Sequence, residues 1–320
     1  MNLLYRAAAS WLSPAGVGAR LSILIYHRVL AELDPIFPGE PTAAVFDAQM
    51  AAVKAVFNVL PLPEAIARLK AGALPARAAC ITFDDGYADN YHLALPILQK
   101  HDLHATFFIA TAYLNGGRMF NDTVIESIRR TKTDHLDLTW MGLGAHDVST
   151  PHAKAKAIGH ILPIVKYLPL DEREHAVAQL AHAATDATLP DELMMTTDEL
   201  KALHAAGMEI GGHTDRHPII ARLDDTGTQA EIAAGKDWLE ATLNTRLRVF
   251  AYPNGKPDTD YRREQARIVE SLGFEGAVST QWGCSTRATD PYQLARFTPG
   301  WGGQRKFVPM LLNNLRSPLI

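Results

Sequence analysis

Short apolar runs recur along the chain, each closed by glycine, proline or a polar cluster, with stretches of helical composition between them. Residues 23–26, 79–83, 105–109, 209–211, 248–251, 276–279 and 293–296 read as strands of this kind. Strands alternating with helices are the pattern of a parallel sheet or barrel, so the fold class expected is α/β. The rhythm breaks once. Residues 115–198 form a long, largely helical segment, and within it residues 171–177 and the alanines that follow favour a helix. We read residues 1–320 as one domain with 115–198 as a helical insertion, either a cap over the site or a peripheral addition. Residues 34–41, with three prolines and a glycine, form a rigid loop after the first strand, close enough to line a groove.

Chemistry first appears where the second apolar run ends, at Ile81-Thr82-Phe83-Asp84-Asp85-Gly86-Tyr87. Two adjacent carboxylates beside a buried strand repel each other unless a cation or a shared proton relieves them. About 130 residues later, Gly212-His213-Thr214-Asp215-Arg216-His217 supplies two imidazoles. In a helical turn, positions i and i+4 share a face, so His213 and His217 can converge on one ion. A carboxylate from the other strand completes a two-His, one-Asp metal site, and the second aspartate stays free for proton transfer. Imidazole nitrogen and carboxylate oxygen are ordinary zinc ligands, and three protein ligands leave one position open. Taken singly, Asp-Asp-Gly is usually a surface turn and His-x3-His a chance feature of a helix surface; only the combination is specific.

That combination resembles the polysaccharide deacetylases, the NodB-homology or carbohydrate esterase family 4 enzymes, whose first two motifs match Thr82–Gly86 and His213–His217. The resemblance covers about residues 22–297. It implies an incomplete (β/α)7 barrel, Asp84 as general base, and Asp85, His213 and His217 as ligands of a divalent metal, zinc first. A third motif appears in altered form at Phe250-Ala251-Tyr252-Pro253-Asn254-Gly255, where the resemblance implies a backbone N–H near Tyr252 facing the oxyanion.

The chain departs from the family pattern twice. Ala251 stands where many members carry an arginine, and no histidine follows His217, although members place a catalytic histidine near the C-terminus. Tyr26-His27, at the end of the first strand, resembles the poly-N-acetylglucosamine deacetylase branch, in which the motif order is circularly permuted. That implies His27 as general acid. Arg296, at the last predicted strand, is the candidate to replace the missing arginine by pairing with Asp84, its alternative being an ordinary surface arginine.

Bulk properties narrow the partners. Hydrophobic residues make up 47%, charged residues 21%, and the net charge is -4, so a large core is available and no basic footprint points to nucleic acid. The expected partner is a glycan carrying an N-acetylated amino sugar. Two cysteines argue against a disulfide framework. No apolar run has the length of a membrane span, and the N-terminal run is broken by Arg6, so we expect no cleaved signal and a cytoplasmic location. The apolar tail at 307–315 is expected to pack on the domain, with peripheral membrane contact as its alternative. The expected activity is metal-dependent N-deacetylation. Its rivals are hydrolysis of a smaller amide or ester, non-haem iron oxygenation, and glycan binding without catalysis.

Overall fold

The computed structural model describes residues 2–299 and 304–319. Six parallel strands follow one another around a curled sheet in chain order: β1 (Ser22–Tyr26), β2 (Ala78–Phe83), β3 (Thr106–Ile109), β4 (Glu209–Gly212), β5 (Val249–Ala251) and β6 (Gly276–Val278). A two-residue strand, Asn58–Val59, pairs with the start of β2. Every residue of β1 and β2 is buried, the mark of strands covered on both faces. Phe83 and Phe107 stack at 4.8 Å on the face of the sheet covered by helix Ala43–Val56, with Tyr26 and Phe46 packed around them. Gly211 of β4 lies under the Phe108 ring of β3. A Cβ on Gly211 would stand 2.5 Å from the Phe108 ring, so only glycine fits there.

Six of the expected strands form within a residue or two of their expected limits. The seventh does not form a regular strand. Residues 294–297 instead bridge the two edges: Leu294 exchanges hydrogen bonds with Ala277 and Ser279 beside β6, and Phe297 with Ile23 and Ile25 of β1. This segment occupies the seventh position of an incomplete (β/α)7 barrel.

Residues 115–198 are not all helix. Helices Phe120–Arg130, Pro151–Lys166 and Leu170–Ala184 accompany an antiparallel hairpin of His135–Leu138 and Gly144–Asp147. Val124, Ile128, Leu136, Ile158, Ile161 and Leu180 give this part its own apolar cluster, separate from the barrel core. At the C-terminal end, Phe307, Val308, Leu311 and Leu315 are buried, so the apolar face of helix Gln304–Asn314 is used in packing rather than left for a membrane. No helix among the described residues is long and apolar enough to cross a membrane. Cys80 and Cys284 are both free and buried.

Candidate functional site

The functional candidates gather beyond the C-terminal ends of the strands, where barrel folds place their loops. Asp84 leaves β2 with its backbone N–H still bonded to the Tyr26 carbonyl, at 3.0 Å. Asp85 then takes a left-handed conformation (φ 78°), as does Gly86 (φ 94°), which turns the chain sharply and separates the two carboxylates. An aspartate tolerates this backbone better than most residues, and the neighbouring bonds over-determine it: the Asp85 carbonyl accepts from Ala110 N–H and the Gly86 carbonyl from Met195 N–H.

His213 and His217 converge by a route different from the one expected. Residues 213–217 form a loop, not a helical turn, with Thr214 (φ 63°) and His217 (φ 51°) both left-handed. The loop is pinned from outside. Asp215 N–H donates to the Glu231 carbonyl at 3.1 Å, Thr111 Oγ1 donates to Asp215 Oδ1 at 2.7 Å, and Arg216 pairs with Glu231 at 2.8 Å. The result brings the two Nε2 atoms to 3.2 Å, with Asp85 Oδ1 at 3.4 Å from His213 and 3.5 Å from His217.

Those spacings test whether a metal fits. Four ligands around zinc at about 2.0–2.1 Å stand roughly 3.3–3.4 Å apart along the edges of the tetrahedron. The three observed separations bracket that value. His213 Nδ1 lies 2.7 Å from the Ala251 carbonyl, which only accepts, so Nδ1 carries the proton and Nε2 keeps its lone pair toward the other two groups. Asp85 Oδ1 is buried with no hydrogen bond, which is costly for a carboxylate oxygen unless a cation satisfies it. Asp85, His213 and His217 are the one such group of three metal-capable side chains among the described residues.

Electrostatics follow from burial and contacts. Burial alone would raise both aspartates. The Arg296 guanidinium outweighs it at Asp84, and the imidazoles outweigh it at Asp85, so both carboxyls sit below the usual range. Burial pushes His217 down to about 3, so its imidazole is neutral. For His213, burial is outweighed by the carboxylates of Asp85 and Asp84, and its pKa is raised.

Arg296 meets Asp84 as a fork, Nη1 to Oδ1 at 2.7 Å and Nη2 to Oδ2 at 2.8 Å. Its Nε donates to the Ser279 carbonyl and Nη1 also reaches Thr82 Oγ1, so the guanidinium is fixed from three sides. It is fully buried, not an ordinary surface arginine. Ala251, in the place where an arginine was expected, contributes its carbonyl to His213 instead. His27 follows β1 and is exposed, and it lines two adjoining cavities together with Asp85.

Tyr252 does not serve as expected. Its N–H is spent on the Val278 carbonyl in the sheet at 3.2 Å, its hydroxyl donates to the Tyr292 carbonyl at 2.9 Å, and its ring stacks on Tyr261 at 3.9 Å. It is a core residue with no free donor. Two residues further on, Asn254 does line the cavity. That cavity, of about 470 Å³, is bounded by Asp84, Asp85, His213 and His217 below, and by Asn121, Leu162 and Tyr167 of the 115–198 segment above. A second cavity of about 280 Å³ lies on the other side of His27 and Asp85, against Arg28, Asp34, Phe37 and Glu40, so the 34–41 loop borders the site. Neither Asn121 nor Asn254 carries a sequence signal of its own, since both lie in turns or helix ends where asparagine is common.

The comparisons with known proteins bear on the family and the fold. The sequence matches the polysaccharide deacetylase family over residues 71–140 and 161–277, more than half of the chain. The Bacillus subtilis protein YxkH, named for the polysaccharide deacetylases, is 23% identical over 289 residues, covering 89% of this chain and 74% of that one. In fold the chain is similar to the Streptococcus pyogenes deacetylase PplD, with a TM-score of 0.62, 21% identity and coverage of 93% and 98% of the two chains. It is also similar to IcaB from Ammonifex degensii, with a TM-score of 0.59, 18% identity and coverage of 94% and 98%. The chain belongs to the polysaccharide deacetylase family.

Proposed function

We infer that the protein is a metal-dependent N-deacetylase of glycans that contain amino sugars. The observation that carries this reading is the triad Asp85, His213 and His217 at tetrahedral spacing, directly beside an ionised, Arg-clamped Asp84 in an open cavity. The acetate complex of PplD, similar in fold, is in keeping with an acetyl-releasing site. Asp85, His213 and His217 would hold a divalent metal, zinc first, which supplies a Lewis acid for the acyl carbonyl and lowers the pKa of water at the site.

The chain's own groups divide the proton transfers. Asp84, kept ionised by Arg296, takes the proton from water as it attacks the acetyl carbonyl carbon. The Arg296 fork fixes the orientation of that carboxylate and prevents burial from protonating it. His27 then delivers a proton to the departing sugar nitrogen, which leaves as a free amine while acetate forms. His27 stands at the exposed mouth between the two cavities, where it has access to solvent for reprotonation. Leu162 and Tyr167 of the 115–198 segment form part of the cavity wall and would limit the access of water to the reacting groups.

The test is Asp84→Asn. This isosteric change should lower kcat by about 10²-fold or more while zinc stoichiometry, measured by metal analysis, stays unchanged. Near-normal turnover of Asp84→Asn would remove Asp84 from the proton transfer.

A further inference from the structure

Helix Asn2–Leu12 is apolar on two opposite faces. Tyr5, Ala9 and Leu12 face inward and join the main apolar core. Leu3, Leu4, Ala7 and Trp11 fall on the other side, within an arc of about 100° at helical periodicity. Leu3 is 81% exposed, Leu4 76% and Trp11 80%, and Val17, just past the helix, is 71% exposed. These are the four most exposed large hydrophobic side chains among the described residues, and all lie between residues 3 and 17. A lone exposed leucine is ordinary, whereas a gathered face of this kind marks a contact surface.

The charge around the face has one sign. Residues 1–31 and 291–320 contain no aspartate or glutamate, although the whole chain carries a net charge of -4. Arg6 is exposed on the flank of the apolar face. Arg77 stands beside it, its Nη1 donating to Ser10 Oγ at 2.7 Å and its Nε buried without a partner. Burial and the Arg6 guanidinium together hold Arg77 below its ordinary value. Arg20 donates to the Leu315 carbonyl, and Lys306 and Arg316 belong to the neighbouring C-terminal segment. Among the described residues none of these five cations forms an ion pair.

Size and charge select the occupant. An 11-residue helix offers a face roughly 16 Å long and 10 Å wide, far less than the roughly 800 Å² per partner of a stable protein interface. A two-fold pairing of copies through this face would also set its arginines against their own images. A lipid surface has neither difficulty: a few apolar side chains enter the acyl boundary, tryptophan favours the headgroup level, and cations meet anionic headgroups. The placement is compatible with catalysis. Ser13, just after the helix, accepts through its carbonyl from Arg77 N–H at 2.9 Å, ahead of β2, and exchanges hydrogen bonds with Arg20, ahead of β1. Trp11 therefore stands at the opposite end of the barrel from Asp85, His213 and His217, and docking there leaves the cavity open to water.

We propose that the outward face of helix Asn2–Leu12, with Leu3, Leu4 and Trp11 as its apolar anchors and Arg6 on its flank, docks the protein on an anionic lipid surface with the catalytic mouth turned away.

The experiment is co-sedimentation of the full chain with phosphatidylcholine vesicles containing about one-third phosphatidylglycerol. Binding should be at least about tenfold stronger than to pure phosphatidylcholine, and salt at about 0.5 M should release most of the protein. Leu3→Ser/Leu4→Ser/Trp11→Ser should weaken binding by about tenfold or more, and Arg6→Glu, which keeps the apolar face, by about tenfold. These side chains are exposed and remote from the cavity, so acetate release from soluble N-acetyl oligomers should be unchanged in both variants. Brominated lipid should quench part of the tryptophan fluorescence of the wild type, and Trp11→Phe should remove that quenching while binding stays within about threefold. Equal binding to both vesicle types, full binding by the triple variant, or quenching that survives Trp11→Phe overturns the proposal. So does a vesicle-free dimer in sedimentation velocity that the triple variant abolishes, since a second copy would then cover the face. Vesicle binding needs no turnover, so the result stands whether or not the deacetylase reading does.

Discussion

The base role proposed for Asp84 places opposing demands on a buried carboxylate, because the burial that excludes water also favours the protonated acid. At Asp84 the conflict is resolved by Arg296, whose two-pronged contact holds the carboxylate ionised and in one orientation. Asp122 shows the opposite outcome. Burial, with Asp85 and Glu126 adding to it, pushes its carboxyl up to about 7, and the Arg28 guanidinium and the Tyr87 hydroxyl offset only part of that. A carboxyl raised in the folded state stabilises the fold fully below its unfolded value of about 3.9, and that contribution is lost as pH rises through about 7. Asp122→Asn should therefore gain stability relative to wild type between pH 4 and pH 8, by on the order of 2–4 kcal/mol in urea unfolding. A difference independent of pH would contradict the raised carboxyl. The sequence carried the approach of Arg296 to Asp84, because a strand-end arginine opposite a missing one is a visible cue. It hid the state of Tyr252, whose N–H is taken up by the Val278 carbonyl, a partner fixed only by sheet register.

At the scale of elements, the two histidines illustrate how one spacing admits two geometries. Their separation of four suits a helix, yet Thr214 and His217 are both left-handed and the Nε2 atoms meet across a loop. Nothing in the local sequence announces this, because the constraint comes from helix Asp225–Leu243 packed behind the loop. Gly235 of that helix lies so close that a Cβ would stand 2.6 Å from the Thr214 carbonyl oxygen. Gly235→Ala should displace the loop, destabilise the fold by about 1–3 kcal/mol despite alanine's better helix propensity, and weaken zinc binding in a competition titration. A stabilised variant with unchanged zinc affinity would mean that the loop yields freely. The strands themselves were legible, since apolar runs closed by glycine or polar turns are local signals. Residues 293–296 read as a strand for the same reason, but they bridge β6 and β1 through single pairs at each edge instead of a continuous ladder.

Across the whole molecule, the barrel supplies the charged floor of the site and the 115–198 segment supplies its upper wall. Helix Pro151–Lys166 and the residue that caps its end bring Leu162, Lys166 and Tyr167 to the cavity, and helix Phe120–Arg130 brings Phe120 and Asn121. Helical composition alone did not indicate which face of this segment meets the barrel, because its amphipathic faces serve a separate apolar cluster as well as the cavity wall. The barrel motifs were readable because the chemistry demands fixed residue types at strand ends; the wall was not, because many side chains can shape a cavity.

Acetyl transfer to water at a metal held by Asp85, His213 and His217 is the step on which the proposed function depends. The most direct test is acetate release from N-acetylglucosamine oligomers by protein stripped of metal and then resupplied with zinc or cobalt. Little release is expected from the stripped protein, with recovery on adding about one equivalent of metal. Bound metal at that stoichiometry with no acetate released from any N-acetylated oligomer would contradict it.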